Sequence, residues 1–449
     1  MGARLGRRPL SQSEDKTGMK NKIYGEKPID IVVKQLDNLG VSKWKINRVD
    51  THSYQLYCVR GKIEPTRLGD DTNLVVTVYA DGEDTTGSSS FRVFAPYDEK
   101  ETARKIEQAM QCARLIKDKP YSLVKDVTIS GSLSPDIADY PLKQFACDIY
   151  DAVCAGVGGE GCTMNALEIF AGKVNERLVT SGNVDCEQSY TKVFTEAIPT
   201  CTDQRQSVEL YKTYYLADAH LSGLTSAVKQ WMRQASWRLA AQKPTEKLDC
   251  PVIFGAQELY EMLAAIVSDS DFATVYSGSN RFSLGDSIAD GDCPLTVTLK
   301  GRIDGCTGSR LFDDDGVIYR DVTVIQKGRV MAYHGSNRFA QYLGMTATGN
   351  SPCMEVAAGS VDESEMTSGK ALRVYSMSGI QVDVYGDYIG GEVRLAVLYD
   401  GKKVIPVTGI SLSGKLSEVL ATLTLSSTTE TLPRYKGPSA AKAEKLTVY

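Results

Sequence analysis

Helical periodicity and strand alternation divide the chain into two regions of different character. Ile29 to Leu39 has apolar residues at helical spacing, and Tyr54 to Val59, Leu74 to Tyr79 and Ser88 to Ala95 read as strands bounded by Gly or Asp clusters. Asp98 opens a second helix. Asp98 and Glu101 have capping-box spacing, and Ala103, Ile106, Met110, Ala113 and Leu115 recur at three- and four-residue steps. A third helix starts near Pro141, where a first-turn N–H has no intrahelical partner to lose, and carries Leu142, Phe145, Ile149 and Val153 on one face. Strands are predicted again at Ala166 to Ala171, Tyr190 to Ala197 and Val208 to Leu216. A long helix from about Ala219 to Gln242 then has Leu221, Leu224, Val228, Trp231, Ala235 and Leu239 as its apolar stripe.

The charged stretch Lys243 to Pro251, with a proline near each end, marks a boundary. Beyond it one helix, Ala256 to Val267, precedes a run of strands separated by Gly, Asp and Ser turns. They include Leu295 to Leu299, Ile318 to Gln326, Leu372 to Ser376, Gln381 to Tyr385 and Glu392 to Leu398, and Asp400-Gly401 is a hairpin signal. The expected fold class is therefore α+β. An N-terminal α/β domain with helices packed on a sheet (23–243) precedes a mostly antiparallel β domain, barrel-like or sandwich (251–426). Residues 1–22 read as a disordered leader, with Met19 as a second candidate start, and 427–449 as a polar tail.

Length fits two or three domains, and 42% hydrophobic with 24% charged residues is ordinary globular composition. A net charge of -5 with interspersed Lys and Arg leaves no basic footprint, so no direct nucleic-acid contact is expected. No apolar run approaches the ~20 residues of a membrane span, and Arg7-Arg8 is followed by no apolar stretch that would make a signal peptide. Eleven cysteines in a long chain without any CxxC read as reduced thiols of a cytoplasmic protein. Cys147, Cys154 and Cys162 are accordingly expected as core thiols.

Candidate chemistry is sparse. Catalytic zinc needs three protein ligands, and HExxH-type motifs place two histidines on one helical face. Here the three histidines, His52, His220 and His334, are far apart in sequence. Glu258 and Glu261 share a helical face, but two carboxylates alone suit zinc poorly. Gly156 to Gly161 spells G-x-G-x-x-G, yet with a helix before it and a strand after it, the reverse of the dinucleotide-binding order. Asp313-Asp314-Asp315-Gly316 lacks the spaced oxygens of a calcium loop and reads as a tight turn; pairing of its acids with Arg310, or with a partner subunit, is the other option. His334 at a strand end reads as a solvated turn residue, and no G-x-S-x-G elbow is present.

Ser309 to Asn350 carries a more specific order of features: a small-residue turn, Phe312, the acidic turn, two alternating strands, a Ser-Asn-Arg segment and a closing Thr-Gly-Asn. With Ala357 to Met366 and Gly386 to Leu416, it resembles the modulator-of-DNA-gyrase family, the TldD/TldE (PmbA) proteins, and within it the TldE half. The resemblance implies family-motif positions at Arg310, Phe312, Asp313, Asp315, Gly316, Tyr333, Thr348, Gly349 and Asn350, structural or partner-facing in role. TldD-like members place a His-Glu-x-x-x-His helix where this chain has Val252 to Ile266, with both histidine positions filled by other residues. They also supply a cysteine near the C-terminal turn, whereas the last cysteine here is Cys353. TldE-like members usually carry Asn-Pro before a Thr-Gly-Asp, and Val384-Tyr385-Gly386-Asp387 departs from that. The resemblance thus implies a subunit without catalytic or metal-ligating residues of its own, inactive alone. Its partner would be a TldD-like zinc metallopeptidase that degrades unfolded peptides or processes peptide precursors, gripping them by main-chain strand pairing. Zinc is expected only in that partner. The alternative is a stand-alone homodimeric peptide-binding or structural protein.

Overall fold

The computed structural model describes residues 28–401 and 403–449; the expected leader lies outside them. The N-terminal half runs α1 (Pro28–Asn38), β1 (Trp44–Val59), β2 (Lys62–Ile63), β3 (Arg67–Asp81), β4 (Thr86–Val93), α2 (Glu99–Leu115), β5 (Val127–Ser132), α3 (Pro135–Ala138), α4 (Leu142–Gly156), β6 (Cys162–Thr180), β7 (Val184–Thr202), β8 (Ser207–Glu209), β9 (Lys212–Tyr215) and α5 (Ser222–Ala240). Its strands form one sheet in the order β4-β3-β1-β6-β7-β5, with β2 on β1 and β8 and β9 on β7. Alternation of buried and more exposed residues along parts of β1, β6 and β7 leaves one face of each strand to be covered. At one end α1 and α2 supply Val32, Leu36, Ile106 and Ala109 against Ile46, Leu74 and Val76. At the other, Phe145, Ile149, Val228 and Trp231 of α4 and α5 cover Leu56, Leu167 and Ile169. The Asp98 cap forms, accepting from Glu101 N at 2.7 Å, while the Glu101 carboxylate turns to Arg104.

Two details depart from the sequence reading. Val208 to Leu216 is broken into β8 and β9, because Leu210 N bonds Pro199 O between two separate pairings with β7. Cys162 and Cys201 are not free thiols: the β6/β7 register sets them directly opposite and they form a disulfide. Cys154 is exposed and Cys147 half-buried, so neither is a core residue. A pairing across a long antiparallel ladder leaves no spacing signal in the sequence.

The C-terminal half runs β10 (Val252–Gly255), α6 (Ala256–Ser268), α7 (Phe272–Tyr276), β11 (Val297–Lys300), β12 (Val322–Gln326), β13 (Arg329–Val330), α8 (Asn337–Leu343), β14 (Cys353–Val356), α9 (Glu363–Met366), β15 (Ala371–Asp383), β16 (Tyr388–Asp400), β17 (Lys403–Val407), β18 (Ile410–Lys415), α10 (Leu416–Ala421), β19 (Thr424–Leu425), β20 (Thr429–Leu432), β21 (Tyr435–Pro438), β22 (Ala440–Ala443) and β23 (Thr447–Val448). One sheet, ordered β19-β22-β10-β15-β16-β18-β23 with β17 on β16, curls into a half-barrel; the other is β13-β12-β11-β14-β21-β20. Most pairs are antiparallel, but β10 with β15 and β14 with β21 run parallel. The two sheets close over one core together with α6, whose Leu259, Met262, Leu263 and Ile266 are almost fully buried. Each such side chain contributes about 1.5–3 kcal/mol.

Residues 427–449 are not a tail. β22 is an interior strand between β10 and β19, and β21 carries the fully buried Tyr435. Ala441 and Ala443 face the core beneath α6, and Ala440 packs on the opposite face with Ile253, Met366 and Ala371, so small residues replace the bulky apolar pattern by which a strand is recognised. Leu372 to Ser376 and Gln381 to Tyr385 merge largely into the single bulged strand β15. Among the described residues no helix is long and apolar enough to cross a membrane.

Candidate functional site

Ser309 to Asn350 folds along the seam between the two halves. The Asp-rich segment is a turn: Phe312 bridges Ile318, Gly316 N bonds Asp313 O at 3.0 Å, and Gly316 takes φ +83. Its acids do not pair with Arg310. Lys45 of β1 reaches Asp315 at 2.9 Å and the Asp314 carbonyl at 2.9 Å. Phe312 is buried against Leu178, Val184 and Cys186 of the N-terminal sheet, and Leu311 N donates to Gln188 Oε1 at 2.9 Å. Further along, Asn337 and Gln341 of α8 donate to Ser122 O, each at 2.8 Å, and Arg338 pairs with Asp118 at 3.1 Å. Tyr333 packs against the C-terminal core.

This seam encloses a cleft of about 600 Å³, lined by Asp271, Arg310, Asp313, Asp314, Tyr319, His334, Ser336, Asn350, Ser351 and Arg434 among others. Its floor is set by Asp313, whose Oδ1 accepts from Asp315 N at 2.9 Å and Val317 N at 3.0 Å, and whose Oδ2 takes a longer contact of 3.4 Å from Asn350 N. Burial, helped by the neighbouring Asp315 charge, pushes its pKa up to about 6 despite those donors. Thr348 Oγ1 accepts from Gly335 N at 2.9 Å and ties together the segments on either side of α8. Gly349 sits at φ +79, and a Cβ there would lie 2.7 Å from the Tyr319 ring. Arg310 donates to Ser309 O (2.6 Å) and Thr307 O (3.2 Å), and its guanidinium stacks on Tyr190 with the ring centroid at 3.5 Å.

His334 is buried, contrary to the expected solvated turn. It bridges Asp271 in parallel, and its Nε2 donates to Val267 O at 3.2 Å. Burial lowers its pKa, so the ring is neutral and Nδ1 keeps a free lone pair. The cleft thus unites motif positions Arg310, Asp313 and Asn350 with Asp271, His334, Ser351 and Arg434, which sequence reasoning did not select. Phe312, Asp315, Gly316, Tyr333, Thr348 and Gly349 support the walls. Arg434 arrives because β14 and β21 pair side by side, with Met354 opposite Tyr435. No local pattern announces that pairing.

A second group of charges lies at the start of α6. Glu258 closes the helix N-terminus by accepting from Gly255 N at 3.1 Å, and burial raises its pKa. Arg373 ion-pairs with Glu363 at 2.9 Å. Burial lowers the Lys212 ammonium to about 8, with the Glu258 charge opposing that shift.

Residues 247–448 match the family model described as the PmbA/TldA metallopeptidase C-terminal domain. The C-terminal half of the chain is thus a domain of the TldD/PmbA family. The fold of the whole chain is similar to that of TldE from Thermococcus kodakarensis, with TM-score 0.78 and 12% identity over 94% of this chain and 100% of that one. A putative modulator of a DNA gyrase from Thermotoga maritima is similar with TM-score 0.77 and 13% identity, covering 94% and 99%. A putative modulator of DNA gyrase from Bacteroides thetaiotaomicron gives 0.74 and 16%, covering 94% and 97%. No curated protein matches the chain.

The family description implies a metal. The donors on α6 do not fit zinc: it offers Glu258, engaged with Gly255 N, and Glu261, which accepts from Gln257 at 2.7 Å, with no imidazole or thiolate among its residues. Among the described residues no group of three or more His, Cys, Asp or Glu could hold a metal ion.

Proposed function

We propose that this chain is a TldE/PmbA-like, non-catalytic subunit that completes a zinc metallopeptidase with a TldD-like partner and helps enclose unfolded peptides. The observation that carries the reading is α6. In this family fold, the helix that opens the C-terminal domain bears Tyr260, Glu261 and Ala265 but no histidine, and its acids serve the helix itself. The likeness to a TldE over 94% of this chain and all of that one supports it.

The test is to assay the purified chain, a TldD-like protein and their mixture for co-elution, zinc content and hydrolysis of an unfolded peptide. The expected result is a joint complex in which hydrolysis depends on the partner, with no hydrolysis by this chain alone. Stoichiometric zinc with hydrolysis by the isolated chain overturns the proposal. A stable homodimer that ignores the partner supports the stand-alone alternative instead.

A further inference from the structure

Two buried polar atoms in the wall of the cleft have no hydrogen-bond partner, His334 Nδ1 and Ser351 Oγ. Leaving such groups unsatisfied costs free energy, so each points to a ligand group that answers it. Because Nε2 carries the proton given to Val267 O, Nδ1 can only accept. Ser351 Oγ can donate.

The same cleft holds two guanidinium groups without a carboxylate at ion-pairing distance among the described residues. Arg310 is anchored by carbonyls and by Tyr190, and Arg434 is exposed beside Tyr260. Both lie close to Cys353, two residues from Ser351, which places the positive charge at that end. Two of the three acids lining the cleft are engaged elsewhere: Asp313 accepts backbone N–H groups, and Asp271 Oδ1 accepts from Ala273 N at 2.8 Å; the third, Asp314, lies on the acidic turn beside Lys45. The unanswered set is therefore two planar cations, a hydroxyl donor and an imidazole acceptor. A carboxylate adjoining an amide N–H satisfies all of it, and guanidinium forks suit carboxylates best. The cleft volume is within the range of small-ligand sites.

We propose that this cleft captures the free C-terminal end of a peptide, with Arg310, Arg434 and Ser351 on the carboxylate and His334 Nδ1 accepting from a backbone amide. The proposal rests on the peptide-handling role above and adds the feature recognised: a chain end rather than internal strand pairing alone. Calorimetric titration of the full chain, without any partner, tests it using N-acetylated tetra-alanine as the free acid, its C-terminal amide, and acetate. The acid is expected to bind about tenfold or more tightly than the amide. Arg434→Gln removes that preference and Arg434→Lys keeps part of it, each variant being checked for an unchanged unfolding midpoint. Equal binding of acid and amide by the parent chain overturns the proposal, as does a preference that survives Arg434→Gln. Acetate binding as tightly as the peptide overturns the peptide assignment. Since no partner or hydrolysis enters the titration, its failure is separable from failure of the subunit role.

Discussion

Asp313 is a carboxyl kept in place by backbone donors yet pushed toward its neutral form by burial, at about 6 against the usual ~3.9. Between about pH 4 and 6 the folded chain holds a proton that the unfolded chain has released. Its contribution is therefore fully present below pH 4 and is lost as pH rises through 6. Asp313→Asn keeps a carbonyl for Asp315 N and Val317 N and removes the titration. The expected outcome is that the variant's unfolding temperature gains on the parent's as pH is raised from 4 to 7. A constant difference across that range would show that Asp313 titrates normally.

At the scale of elements, the segment 427–449 gives the sharper test. It supplies β20 and β21 to one sheet and β22 and β23 to the other, with Tyr435 buried between them. Loss of that aromatic side chain alone costs about 3–5 kcal/mol. A chain ending at Ser426 is expected to lose its cooperative thermal transition and to elute as aggregate; a folded, monodisperse product would contradict the assignment of these strands. What was legible in the sequence follows from the same physics. α2, α4, α5 and α6 bury one face each, so a 3.6-residue period appears in their residues. β22 buries alanines and presents no such contrast. Arg310, Asp313 and Asn350 could be read as one block because they fall within a short stretch. Arg434 could not, since only the β14–β21 pairing brings it there.

For the whole molecule, the disulfide between β6 and β7 bears on where the chain works, because such bonds are rare in a reducing cytosol. Alkylation of the unfolded, unreduced protein is expected to label nine cysteines, and eleven after reduction. Eleven before reduction would mean that Cys162 and Cys201 stand as opposed thiols in the purified protein.

β10 opens the C-terminal domain, yet one of its two neighbours, β22, is among the last strands of that domain to be synthesised. At ribosomal rates the intervening stretch takes roughly ten to forty seconds to emerge. Both edges of Val252–Gly255 are open until β15 emerges, one stays open until β22 follows, and until then the core beneath α6 is unsealed. Folding of this half thus waits for its closing strand, and the nascent chain is most prone to aggregate just before that strand arrives.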